Sequence, residues 1–275
     1  MRPQWMVISI ISVCFLTPLL SAAPIKVKYK EGLTHGFLTL TTVDGTQIAL
    51  GDSTEVVRGN EVTSHLVYRF KDGSLQQEDL VFSQRGTFRL ITYHRIEKGP
   101  SFKNQEEMSI DARSGEVRIK YVDEKGKEKD ESERMKLPPD LANGMVLFLL
   151  KNISENTPKT ELPFLVATPK PRIIKLQILP AGLDPFTLMG VKREAIHYDI
   201  KVDIGGIAGV IAPLIGKQPP DNHVWISHGE VPTFVKSLTL SYMGGPMWQT
   251  ELLSPVWPEN AQEKEKKKGQ QEDKK

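Results

Sequence analysis

The sequence predicts a mainly β protein: one large curved antiparallel sheet, a half-barrel or open barrel, with one or two short buried helices. Three observations predict it. Short runs rich in Val, Ile, Thr, Tyr and Phe recur between Phe37 and Lys136. Turn residues separate them at intervals of roughly ten. Several runs alternate apolar with polar residues, which gives a sheet one dry face and one wet face.

Residues 1–23 read as a secretory signal: Arg2 is a basic start, Met6 to Leu20 is an almost unbroken apolar run, and Ser21-Ala22-Ala23 offers small residues for cleavage. The run is shorter than the roughly 20 apolar residues of a spanning helix. The mature chain is therefore expected to be exported, periplasmic or secreted, without a transmembrane span. Cys14, the sole cysteine, lies in this run. A mature chain without thiols has no disulfides, zinc–cysteine centres or cysteine nucleophiles, so its core must hold it together.

Residues 24–258 suffice for a single β-rich domain. Its hairpin turns are explicit at Asp44-Gly45, Gly59-Asn60, Lys71-Asp72-Gly73, Arg85-Gly86, Ser114-Gly115 and Glu124-Lys125-Gly126, where Gly and Asn tolerate the positive φ of tight turns. Val117, Ile119 and Tyr121 alternate with Glu116, Arg118 and Lys120. Further along, Ile196, Tyr198, Ile200, Val202 and Ile204 oppose His197, Asp199, Lys201 and Asp203, and Phe234, Leu238, Leu240 and Tyr242 are expected to share a side.

Two segments break the strand pattern. Leu137-Pro138-Pro139-Asp140 ends a strand, and Asp140 can cap a helix. The stretch Leu141 to Ile153 predicts that helix, apolar nearly all round and hence buried against the sheet. Ile204 to Gly216 carries Gly205, Gly206, Gly209 and Pro213 among large aliphatics. Each glycine costs an isolated helix about 1 kcal/mol and an interior proline about 3, so tertiary packing must hold this segment, as a lid or plug. Residues 259–275 are charged, nearly balanced in sign and poor in apolar side chains, and predict a disordered solubilising tail.

Most chemical motifs fail on inspection. Gly51-Asp52-Ser53 resembles the nucleophile block of GDSL-type esterases, but Thr54 replaces the Leu and no histidine has an Asp three positions before it, so a turn is expected. A dinucleotide fingerprint ending at Gly209 would need glycine where Ile204 stands. A phosphate loop at Gly216-Lys217 lacks its upstream glycine and its Ser or Thr. His197 and Asp199 project from one face of a strand, on its charged side, and read as a solvated pair; His223 and His228 are five apart and so face opposite ways. Asn152-Ile153-Ser154 is formally a glycosylation sequon, and Trp225, Trp248 and Trp257 fit core packing or an aromatic-lined pocket. Formal net charge is +2 with signs interspersed, which gives no field for nucleic acid. No metal site and no cofactor are expected.

Four stretches, Asp79 to Ile91 (DLVFSQRGTFRLI), Leu137 to Asn152 (LPPDLANGMVLFLLKN), Ile211 to Ile226 (IAPLIGKQPPDNHVWI) and Gly244 to Pro258 (GGPMWQTELLSPVWP), resemble an uncharacterised family of exported bacterial proteins of unknown function, across nearly the whole mature domain. The resemblance implies a sheet similar to the half-barrel of bacterial lipoprotein (Lol-type) carriers, with helices over an apolar concave face. It supplies no functional residue.

The leading functional expectation is an exported binding or carrier protein for a hydrophobic, lipid-like ligand, lined by Phe148, Leu149, Ile211, Leu214 and Trp225. One alternative is a cell-envelope structural or interaction protein with a filled core and an unidentified protein partner. Another is a secreted hydrolase with an acid–base pair drawn from His197, Asp199, Asp221 and His223.

Overall fold

Alternation and turn chemistry together build one sheet. A computed structural model describes residues 24–203 and 220–253, except 124, 168, 169, 189 and 243. The predicted signal, the plug over 204–216 with Ile211 and Leu214, and the tail lie outside the described residues. The first half of the sheet comprises β1 (Thr34–Thr42), β2 (Gln47–Arg58), β3 (Glu61–Phe70), β4 (Leu75–Ser83), β5 (Arg89–Lys98), β6 (Glu106–Asp111), β7 (Glu116–Val122) and β8 (Glu128–Arg134). After a short helix, α1 (Val146–Leu150), come β9 (Thr160–Val166), β10 (Arg172–Leu188), β11 (Val191–Asp203), β12 (Asn222–Ser227), β13 (Phe234–Leu240) and β14 (Met247–Leu252).

All pairings are antiparallel, in the order β8-β7-β6-β5-β4-β3-β2-β1-β14-β13-β12-β11-β10-β9. The predicted fold class is observed: the described residues form a 14-stranded antiparallel sheet, not closed into a barrel, with edges at β8 and β9. The six predicted turns each carry a glycine at positive φ. At Gly115 (φ 76°) the need is also steric, because a Cβ would run into the carbonyl oxygen of Met135.

One face holds a continuous apolar core, here called the inner face. Val117, Ile119, Ile196, Tyr198 and Ile200 are buried in it as predicted. Strand β13 departs from prediction. Ile226 pairs with Phe234 but Trp225 pairs with Lys236, so Val235 is an extra residue. This bulge reverses the parity, leaving Phe234 inside and placing Leu238 and Leu240 on the outer face. Gly51-Asp52-Ser53 is likewise mid-strand in β2 rather than a turn. Gly51 is there because a Cβ would stand 2.5 Å from Cε1 of Tyr68 and 2.9 Å from Cβ of Leu38.

The predicted helix over Leu141–Ile153 is buried as expected but much shorter, since only Val146–Leu150 is α-helical and Asp140 does not cap it. The residues before it serve a neighbouring strand instead. Ala142 N–H donates to the Pro163 carbonyl (2.9 Å), Asn143 Nδ2 donates to the Leu165 carbonyl (2.9 Å), and Leu165 N–H donates to Asn143 Oδ1 (2.8 Å). The Asn143 amide thus stands in for a strand on the free edge of β9. Edge β8 is guarded differently, by its charged sequence EKDESER.

The segment around α1 also reveals the curvature. Phe148 meets Phe82 of β4 at 4.9 Å between centroids, and the Ile153 carbonyl accepts from Tyr198 Oη of β11 at 2.5 Å. Those strands are seven spacings apart in the sheet order, roughly 34 Å if flat, whereas the connecting helix and turn span roughly 9 Å. The sheet must curl around this segment.

The inner face is not wholly apolar. Glu78, Arg95, Glu97 and Glu106 occupy inward positions of β4, β5 and β6, with Arg95 Nη2 at 3.1 Å from Glu106 Oε1 and Nη1 at 3.6 Å from Glu97 Oε1. Burial pushes the Glu97 carboxyl up to about 7, against the pull of Arg95.

Two consequences can be measured. Asn143→Ala strands the buried N–H and C=O of Leu165 and should cost ~3 kcal/mol in urea unfolding. Glu97 holds its proton more tightly folded than unfolded, so its contribution is complete below pH 4.5 and lost as pH rises through about 7. Glu97→Gln should therefore be more stable than the parent at pH 8, by up to about 3 kcal/mol, and indistinguishable from it near pH 4.5.

A histidine–aspartate cluster on the outer face

Cross-strand register assembles a polar site on the opposite face. Strand β11 meets β12 with His197 beside Trp225 and Asp199 beside His223, and β12 meets β13 with Trp225 beside Lys236. Register partners in an antiparallel pair share a face. These side chains therefore stand outside, opposite the buried Tyr198, Val224 and Ile226. An extra residue, Ala181, between Pro180 and Gly182 of β10 shifts parity again and brings Asp184 to the same face, beside Ala195.

Three atoms converge. His197 Nε2 lies 3.1 Å from His223 Nδ1 and 3.3 Å from Asp199 Oδ1, and His223 Nδ1 lies 2.8 Å from Asp199 Oδ1. Ligand atoms about 2.0–2.1 Å from a tetrahedral zinc ion are about 3.3 Å apart, so this triangle matches one face of such a tetrahedron. An ion at that distance from all three atoms would stand roughly 1 Å above their plane, its fourth position open.

The surroundings orient the ligands. Asp184 Oδ2 lies 3.4 Å from His197 Nδ1 and accepts the Trp225 indole N–H at 2.7 Å. A proton on Nδ1 of His197 would face Asp184 and leave the lone pair of Nε2 in the triangle, the arrangement by which carboxylates fix metal-binding imidazoles. Trp225 stacks on His197 at 4.4 Å and 14°, and Lys236 Nζ lies 4.3 Å over the indole. Burial among these rings lowers the His197 pKa below its ordinary value although Asp199 and Asp184 pull it up. The neutral imidazole, the form that binds metals, is thereby favoured.

The other four histidines also sit beside carboxylates: His35 by Asp52, His65 by Asp79, His94 by Glu107 and Asp79, His228 by Glu155. Among the described residues, only His197, Asp199 and His223 bring three donor atoms within 4.8 Å of one another.

The residues predicted from sequence scatter. Phe148 and Leu149 are packed in the inner core, whereas Trp225 lies on the other face, because the buried Val224 and Ile226 flank it in the strand. Ile211 and Leu214 lie outside the described residues. Of the acid–base candidates, His197, Asp199 and His223 come together, while Asp221 is engaged 3.4 Å from Lys201 Nζ. His228 is apart from His223, as the spacing predicts. The missing signal was register: spacing within one strand pairs His197 with Asp199, but nothing local aligns residue 199 with residue 223.

No family model matches the sequence, and no curated protein matches it. A solved structure with some likeness is the crystal structure of a beta-barrel-like protein of domain of unknown function DUF1849 from Brucella abortus. It is 8% identical, the match covers 83% of this chain and 99% of that one, and the TM-score is 0.46. So remote a likeness carries nothing over to the site.

Proposed function

We propose that the chain is an exported binding protein for a divalent transition-metal ion, held by His197, Asp199 and His223 on the polar face of the sheet. One observation carries this reading, the mutual approach of three ligand atoms to 2.8–3.3 Å. Two imidazoles and a carboxylate suit Zn²⁺, Ni²⁺ or Cu²⁺, whereas Cu⁺ prefers thiolate or thioether ligands. All three ligands project from paired strands rather than loops, which keeps them in place before an ion arrives. Asp184 adds the supporting carboxylate.

Calorimetric titration of the mature chain with zinc chloride should give one ion per chain. His197→Ala and His223→Ala should each abolish that binding, and Asp184→Asn should weaken it by about 10- to 100-fold while leaving one site. Unchanged zinc affinity in the His197→Ala/His223→Ala double variant would refute the assignment.

A second reading, a hydrophobic ligand on the inner face, is favoured by one feature: most of that face is apolar and the sheet around it is not closed among the described strands. Native mass spectrometry of the chain purified from its host should then reveal a lipid-sized adduct that Phe148→Asp removes. A bare mass, under conditions that preserve a control lipid complex, counts against it.

A further inference from the structure

Three carboxylates occupy inward positions that strand alternation otherwise gives to apolar residues. In β4, Glu78 shares its face with Leu80 and Phe82; in β5, Glu97 shares its face with Tyr93; in β6, Glu106 shares its face with Met108 and Ile110. The apolar members of these rows are buried in the core. Register then collects the acids, since Glu78 is opposite Arg95, and Glu97 is opposite Gln76 on one side and Glu106 on the other.

Arg95 is the cation among them, bound to Glu106 at 3.1 Å, and its side chain is 26% exposed, so one edge of the group meets solvent. Three acids around one guanidinium carry an excess of negative charge when all are ionised, which burial opposes by holding the Glu97 proton up to about pH 7. Glu97 makes the imbalance acute. It is only 3% exposed, and among the described residues its Oε1 accepts no hydrogen bond and the nearest cationic nitrogen is Arg95 Nη1 at 3.6 Å. A buried carboxylate oxygen without a donor calls for a partner.

We propose that Glu78, Glu97 and Glu106, arranged around Arg95 on the inner face, form a binding site for a small organic cation bearing a primary ammonium or guanidinium group. Its N–H donors satisfy Glu97 Oε1 and offset the excess charge while Arg95 stays on Glu106. Tyr93, which shares the inner face with these acids, adds a ring beside the charge. A metal ion fits less well. Among the described residues these carboxylates do not meet within the 4.8 Å that His197, Asp199 and His223 achieve, and hard divalent cations need converging oxygens at short range. A flexible amine spans a looser arrangement. This site is distinct from the outer cluster and does not depend on it.

The test is calorimetric and thermal-shift titration of the purified chain with spermidine and with agmatine, against potassium chloride at matched ionic strength and against magnesium chloride. The expected result is saturable binding of at least one amine with a rise in melting temperature. Glu97→Gln and Glu78→Gln, both isosteric, should each weaken it at least tenfold while keeping the parent circular dichroism spectrum, and His197→Ala should leave it unchanged. Absence of saturable binding up to millimolar amine, binding that survives Glu97→Gln, or an equal response to magnesium would each overturn the proposal.

Discussion

The pairing of β1 with β14 is the interaction on which the rest depends. Five register pairs, from Leu38 with Leu252 to Thr42 with Trp248, join segments from opposite ends of the described chain. Without them there would be two separate meanders with twice as many unprotected edges. The loop-closure entropy of so distant a contact must be repaid locally, and aromatic packing at the seam does so. Trp248 of β14 meets Phe70 of β3 at 5.3 Å and Phe102 at 5.8 Å, while the two phenylalanines are 5.4 Å apart. Leu38 and Leu40 complete the buried seam.

A sheet joined in this way has two faces with different duties. The inner face supplies stability through a continuous core and wraps the segment that links its edges. The outer face is free to hold polar groups in fixed relation, because strand geometry sets their spacing whatever chemistry they carry. The proximity of His197, Asp199 and His223 is therefore a property of register. The small bulges at Ala181 and Val235 matter more to that site than their size suggests. One turns Asp184 toward His197, and the other sets which residues of β13 border Trp225.

Fold and turns are largely legible in the sequence, since period-two alternation and glycine-bearing turns are local signals read over a few residues. Burial of the segment after Asp140 is legible from its apolarity. Its helix length is not, because Asn143 serves the backbone of Leu165, a tertiary demand that local propensity does not contain. Gly51 escapes local reading for a similar reason: the constraint comes from the Tyr68 ring on the next strand. The outer cluster is half legible. His197 and Asp199 can be placed on one face, but His223 reaches them only through a pairing whose offset cannot be counted from the sequence. Composition alone draws Trp225 toward a pocket, whereas its position between Val224 and Ile226 argues for the opposite face.

The strand order has a further meaning for the chain's connectivity. The sheet runs from β9 through β14, continues directly into β1, and ends at β8, and the Leu253 N–H already reaches the Phe37 carbonyl at 2.8 Å. Topologically this is an uninterrupted meander read from a shifted starting point. A circular permutant that joined β14 to β1 by a short turn and was cut between β8 and β9 would have only nearest-neighbour hairpins. What the natural order gains is covalent: the connection from β8 to β9 carries α1 and the Asn143 clasp, so the segment that fills the curve is tethered at both ends to the edges it must hold together.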